Sequence, residues 1–208
     1  MDTAKPHVVI VGGGVIGSAI AYFLSSNPRF WGNVTVIERD STYVNASSAL
    51  SASSIRQQFS SPVNIAISQF GIQFLKNIEE YLAVDGETPD LALTEYGYLY
   101  LATGAGEGIL RENHATQKAH NVEAALLDPA ALKARFPWLA VEDLTLGSLG
   151  LKGEGWFDGY GLLMAFRQKA RSLGVQYLKG EAQSFVLGKD KVSGVRLVDG
   201  SEIPGDWA

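Results

Sequence analysis

The 208 residues carry 17 lysines and arginines against 22 aspartates and glutamates, a net charge of −5 with no basic run, so no nucleic-acid or anionic-membrane partner is expected. Cysteine is absent, which excludes disulfides, thiolate catalysis and Cys-based metal sites within these residues. A hydrophobic content of 46% is ample for a core, in one large domain or parts of two.

The first element is the clearest. Val8-Val9-Ile10-Val11 is an unbroken β-branched run, as expected of a strand buried on both faces of a parallel sheet, and Gly12-Gly13-Gly14-Val15-Ile16-Gly17 follows it. Gly12 suits a sharp turn, Gly14 lets a phosphate reach the backbone, and Gly17 lets the next helix press on the strand. The amides at that helix start, around Val15 and Ile16, would face a diphosphate. The helix is expected from Gly14 to Ser26, burying Ile16, Ile20 and Phe23 and stopping at Asn27-Pro28. A second strand, Val34 to Ile37, ends on Glu38, whose carboxylate suits both hydroxyls of an adenosine ribose and disfavours a 2′-phosphate. A membrane span over Val8 to Leu24 is disfavoured by its four central glycines and short length.

Residues 40–61 read as a Ser- and Ala-rich loop. A helix then starts at Ser60 or Ser61 with Pro62 in its first turn, and Ile67, Phe70, Phe74, Ile78 and Leu82 form an expected core stripe. Tyr96 to Leu101 reads as a strand and Glu107 to Ala119 as a helix. Asp128 caps another helix that opens on Pro129 and ends before Pro137. His114 and His120, six apart, fall on different helix faces, so no shared metal site is expected. From Asp158, placed as an N-cap, a helix buries Leu162, Phe166, Ala170 and Leu173. A strand follows around Val175 to Leu178. Residues 182–198 give two antiparallel strands, and Asp199-Gly200 turns into a third.

Three segments carry a family resemblance. The glycine fingerprint with Glu38-Arg39, the loop Ser47 to Ser60 with its Ile55-Arg56-Gln57-Gln58-Phe59, and Gly153-Glu154-Gly155-Trp156-Phe157-Asp158 together resemble the FAD-dependent D-amino-acid oxidase superfamily. The resemblance is to its branch of sarcosine and glycine oxidases and dimethylglycine dehydrogenases. It implies an α/β fold: a Rossmann-like FAD-binding domain with a parallel sheet and β-meander, plus part of an inserted α+β substrate domain. The boundaries expected are 1–86 and 151–208 for the FAD-binding domain and 87–150 for the insertion. By the same resemblance Gly12, Gly14, Val15, Ile16, Gly17, Glu38, Arg39, Ser47, Ser48 and Ala182 bind FAD, with Ser53 and Ser54 where the loop meets the flavin. Arg56 matches the position that binds the substrate carboxylate, a role suited to a guanidinium because it offers a bidentate fork.

Leu50 stands near where some members carry a flavin-linking histidine, so noncovalent FAD is expected, and Gly159 replaces a frequent proline. Family chains continue well past this length, which implies an N-terminal portion. The activity implied is oxidation of the C–N bond of an amino acid or N-methylated amine by hydride transfer to flavin N5. Oxygen or another redox partner would take up the electrons, in the cytoplasm, with no metal. The alternative is a catalytically silent flavin-binding assembly or scaffold protein.

Overall fold

The computed structural model describes residues 5–208. The chain begins β1 (His7–Val11), α1 (Val15–Ser25), β2 (Asn33–Glu38), β3 (Ser54–Ile55), α2 (Pro62–Lys76) and α3 (Ile78–Leu82). It continues with β4 (Leu99–Ala102), α4 (Glu107–Ala119), β5 (Ala124–Leu127), α5 (Pro129–Arg135), β6 (Leu146–Gly150) and β7 (Gly155–Trp156). The last elements are α6 (Gly159–Ser172), β8 (Gln176–Lys179), β9 (Ala182–Leu187), β10 (Val192–Leu197) and β11 (Glu202–Pro204).

Contacts divide these elements into two units. Unit 1 takes the chain up to Ser51, Ile78–Leu91 and Gly159–Ala208, and unit 2 takes Ala52–Asn77 and Ala92–Asp158. From the sequence, divisions are expected at 86 and 150. The contact boundaries fall elsewhere, partly because the helical pattern read through residues 62–82 is two helices. The backbone leaves helical geometry at Asn77 (φ −109°, ψ 32°), so α2 stays with unit 2 and α3 joins unit 1.

Unit 1 is built on a parallel sheet of order β1-β2-β8, with β2 in the centre. Val34 to Ile37 are therefore all buried, as a strand covered on both faces requires. β9, β10 and β11 form an antiparallel meander, with Gly200 in the left-handed region at its second turn. Val195 and Leu197 of the meander pack with Val9 and Ile37 of the parallel sheet, so the two sheets share one core. α1 lies against α6, and the rings of Tyr22 and Phe166 sit 5.6 Å apart.

The buried face of α1 is not the one expected. Gly17, Ser18, Ala21 and Tyr22 are buried, whereas Ile16 is 72% exposed and Ile20 and Phe23 are exposed as well. Close approach to the strand selects small side chains, and this requirement overrides the apolar periodicity. On α6, Leu162, Phe166 and Ala170 are buried as read, but Leu173 lies past the helix end and is exposed.

Unit 2 holds an antiparallel sheet of order β4-β6-β5 and a short β3–β7 pair in which Ser54 faces Trp156. Of the stripe read through 62–82, Phe74 and Leu82 are buried as expected, whereas Ile67 and Phe70 are exposed and Ile65, Ile72 and Leu75 are buried in their place. Ile65 packs with Val122, Ala124 and Phe59, which sets the inward face of α2 two residues away from the one expected. α5 begins as read, with the Ala131 amide donating to Asp128 Oδ1 at 2.7 Å.

A candidate nucleotide groove in unit 1 and a buried arginine in unit 2

The groove in unit 1 is made mainly of backbone. β1 ends at Val11, the chain turns at Gly12 (φ +95°), and the Gly12 amide donates to the Ile37 carbonyl, tying the turn to β2. Gly17 seals the turn from the helix side. A Cβ there would stand 1.9 Å from the Gly12 carbonyl oxygen, so no side chain fits. Gly14 differs. A Cβ on Gly14 would find only Ser48 Oγ at 3.9 Å, so the space beside it belongs to the groove. Gly14 contributes no side-chain cap and the first turn of α1 has no acidic residue, so its amides and positive dipole end are available to an anion.

Glu38 is fixed by two amides. Gly13 donates to Oε2 at 2.7 Å and Asp40 to Oε1 at 2.8 Å, which leaves each carboxylate oxygen a lone pair for another donor. The Gly13 peptide is also held at its carbonyl, which accepts from Ser18 Oγ at 2.8 Å. That hydroxyl in turn accepts from Tyr177 at 3.1 Å. The Arg167 guanidinium lies over the rings of Tyr43 and Tyr177. Burial pushes both phenols above their ordinary range, partly offset at Tyr177 by its bond to Ser18 and at Tyr43 by Arg167, so both remain protonated near neutral pH. The Ser18, Tyr43 and Tyr177 support was missed in the sequence, where only Ser18 carried a signal, as a small residue beside Gly17.

Two adjoining depressions run along this backbone. One, of about 360 Å³, is lined by Gly12, Glu38, Arg39, Ser47 and Ala182 among others. The other, of about 320 Å³, is lined by Gly12, Gly14, Val15, Ile16, Gly17, Ser47 and Ser48. They share Val11, Gly12, Ala46 and Ser47, and Arg39 is paired with Glu181 at 3.5 Å on the rim. Ten of the residues named from the sequence thus meet in one groove. Their chemistry fits the two ends of a dinucleotide: a small, amide-lined niche for diphosphate and a carboxylate for ribose hydroxyls.

Ser53, Ser54 and Arg56 lie in unit 2. Ser53 accepts from the Phe157 amide through its carbonyl, and Ser54 belongs to β3. Arg56 stacks on Phe59, Tyr98 and Tyr100, with its guanidinium carbon 4.8, 5.4 and 5.8 Å from the ring centroids. Its Nε is buried without a hydrogen-bond partner, and among the described residues it joins no ion pair.

Next to it in sequence, Gln57 and Gln58 hold Glu154, which is completely buried. Glu154 Oε1 accepts from the amides of Gln57 (2.6 Å) and Gln58 (3.0 Å), and Oε2 from Gln58 Nε2 (2.8 Å). Burial pushes the Glu154 carboxyl above its ordinary range, and these three donors, together with the nearby Arg56 charge, oppose the shift. Gln58 also donates to the Tyr98 carbonyl and accepts from Ser148, so one side chain ties β6, the Tyr98 strand entry and the Arg56 segment together. In the sequence Glu154 stands out only as an acid between two glycines, Gly153 and Gly155, within the segment that carries the family resemblance. Among the described residues no group of three or more His, Asp or Glu could hold a metal, and no helix is long and apolar enough to cross a membrane.

A family model described as FAD dependent oxidoreductase matches residues 7–205. The chain is 47% identical over 188 residues to FAD-dependent oxidoreductase domain-containing protein 1 of Xenopus laevis, covering 89% of this chain and 38% of that protein. It is 27% identical to the sarcosine oxidase subunit beta of an Arthrobacter species, over 93% of this chain and 48% of that one. Among solved structures, the L-proline dehydrogenase of P. horikoshii superposes with a TM-score of 0.75 and 25% identity, over 97% of this chain and 51% of that one. The chain thus spans well under half the length of the Xenopus relative. With the glycine turn, Glu38 and the Ser47-Ser48 wall in place along one groove, and the family model matching nearly end to end, the chain belongs to the FAD-dependent oxidoreductase family of D-amino-acid oxidase type.

Proposed function

We propose that the protein oxidises the C–N bond of a small amino acid or N-methylated amine, with noncovalently bound FAD as the immediate electron acceptor. Unit 1 holds the cofactor through the Gly12 to Gly17 turn, Glu38, Arg39, Ser47, Ser48 and Ala182. Bound FAD supplies the acceptor for a hydride leaving the carbon next to nitrogen. Glu38 accepts the ribose hydroxyls with its remaining lone pairs, and the amides of Val15 and Ile16 receive the diphosphate.

Arg56 anchors the substrate carboxylate. The single observation that carries this is its state: a guanidinium stacked on three aromatic rings that forms no ion pair among the described residues, with the buried Glu154 carboxylate near enough to feel its charge. A cation held this way is available for a planar anion and stays charged when water is displaced. The sarcosine oxidase and proline dehydrogenase relatives support the amine reading by their names.

The test is an absorption spectrum of the full-length protein followed by anaerobic addition of α-amino acids and N-methylated amines. A yellow protein whose band at about 450 nm bleaches with one of them is the expected result. A yellow protein that bleaches with none would reverse the enzymatic reading in favour of a silent flavin-binding scaffold, and a colourless one would remove the cofactor. Arg56→Lys is expected to weaken a carboxylate substrate by about tenfold or more through loss of the bidentate fork. Unchanged apparent affinity would remove Arg56 from its role.

A further inference from the structure

Ser18 is completely buried on α1, and its hydroxyl does not bond where a helical serine ordinarily does. The carbonyl four residues back, that of Gly14, accepts from the Ser18 amide, while Oγ reaches one residue further and donates to the Gly13 carbonyl at 2.8 Å. The same Oγ accepts from the Tyr177 phenol of β8 at 3.1 Å. Tyr177 pairs with Val36 of β2, and its ring lies beneath Arg167, with the guanidinium carbon 5.4 Å from the ring centroid. A chain of hydrogen bonds therefore runs from the last parallel strand through α1 into the glycine turn, all within unit 1.

What the chain fixes is a peptide plane. The bond between Gly13 and Gly14 is flanked by two residues without a Cβ, so hydrogen bonding rather than side-chain sterics decides which way it faces. The described residues contain no cis peptide, and in a trans peptide the C=O and N–H point in opposite directions. Holding the Gly13 carbonyl on buried Ser18 thus turns the Gly14 N–H away from the interior. Among the described residues that N–H forms no hydrogen bond, and Gly14 lines the depression of about 320 Å³. With the plane reversed, a carbonyl oxygen would stand in its place and repel an anion. Each O–H in the chain also polarises the next, which makes the Gly14 N–H a stronger donor. The preceding plane has its own clamp, because the Gly13 amide donates to Glu38.

We propose that Ser18 and Tyr177 are positioning residues for nucleotide binding, holding the Gly13–Gly14 peptide so that the Gly14 amide meets the diphosphate. This rests on the reading of the unit 1 groove as a nucleotide site and adds two residues that touch no ligand. Since Glu38 clamps the other plane, the effect belongs to the diphosphate and not to the ribose.

The experiment is calorimetric titration of the full-length protein, its flavin dialysed away, with FAD, ADP and adenosine, after thermal denaturation has shown each variant to be folded. Ser18→Ala is expected to weaken FAD and ADP by about tenfold, the size of one hydrogen bond to a charged acceptor, and to leave adenosine within about twofold of wild type. Tyr177→Phe keeps the ring beneath Arg167 and is expected to weaken ADP by about threefold; it carries the test alone if Ser18→Ala does not fold. The double variant should bind ADP as Ser18→Ala does, because Tyr177 acts only through Ser18. A parallel loss for adenosine would overturn the proposal, since collapse of the turn would disturb Glu38 as well. Additive losses in the double variant, or ADP and FAD affinities unchanged in the folded variants, would also overturn it. Failure of the cofactor reading looks different: wild type that binds ADP but not FAD, with the Ser18→Ala and Tyr177→Phe losses in place, overturns that reading alone.

Discussion

The two candidate regions are built from different materials. The groove in unit 1 is chiefly backbone, with the Gly12 turn, the α1 amides and a Glu38 that is itself positioned by amides. The arginine pocket in unit 2 is chiefly side chains, with Phe59 beside Arg56, Tyr100 on β4 and Gln117 on α4. Backbone-built sites are written in contiguous residues because glycine is selected for what it lacks. Side-chain sites are assembled from distant segments, and no local pattern announces them.

This contrast can be broken at its strongest point first. Gly17→Ala places a methyl against the Gly12 carbonyl, which cannot move without dissolving the turn. We expect a loss of about 3 kcal/mol and failure to retain flavin, read by thermal denaturation and absorbance of the purified protein. Wild-type values for both would show that the turn yields, and that the groove is less rigidly specified than its distances imply.

Glu154 tests whether a side-chain hub can matter as much. Glu154→Gln points an NH₂ group at the amides that now donate to the carboxylate, and a cost of about 2–4 kcal/mol is expected. The pH dependence follows from the direction of its shift. With the folded-state value raised, the native protein keeps a proton that the unfolded chain has already lost, so stability falls as pH rises from the ordinary carboxyl range through the raised value. Denaturation midpoints across that window should fall in wild type more than in Glu154→Gln. A midpoint rising with pH only in wild type would reverse the assignment.

Glu38→Gln sharpens the comparison from the ligand side. The substitution keeps the shape but weakens the acceptor, so FAD affinity should fall by about tenfold, with a further effect on the Gly13 peptide. Flavin fluorescence titration reads it, and unchanged affinity would remove Glu38 from ribose binding. The smallest effect is expected at Arg111, paired with Glu107 one turn away on the exposed face of α4. Arg111→Ala should cost at most about 0.5 kcal/mol and leave every binding measurement unchanged.

How much was legible follows the same division. The βαβ unit, the turn, the meander and the Asp128 cap were readable because strand runs, glycine and capping chemistry are local. The buried faces of α1 and α2 were not. Ile16, Ile20, Ile67 and Phe70 make a convincing apolar periodicity, yet the inward sides are set by what each helix presses against: for α1 a turn and strand that leave no room for a Cβ at Gly17 and a helix whose Phe166 meets Tyr22, for α2 a core shared with Val122 and Ala124. β6 escaped notice because Leu-Gly-Ser-Leu-Gly has no β-branched residue, and β5, Ala-Ala-Leu-Leu, reads locally as helix former. β5 exists through its pairing with β6, and β6 through its pairing with β5 on one side and β4 on the other.

The sheet order β1-β2-β8 also imposes a timetable on synthesis. The third strand of that sheet is translated about 140 residues after the second, and at about 5–20 residues per second the pair β1–β2 waits on the order of ten seconds for its neighbour. All of unit 2 lies in that interval, so its β-sheet can close while one edge of β2 is still unpaired. Chains ending between α6 and β8, held on the ribosome through an unstructured linker long enough to clear the exit tunnel, should therefore resist protease in the Ala92–Asp158 region and be cut near β2; equal protection of both would show that unit 1 settles without its last parallel strand. An early, exposed hydrophobic strand edge of this kind is where a nascent chain is most exposed to mispairing, which makes the speed with which β8 arrives a determinant of yield.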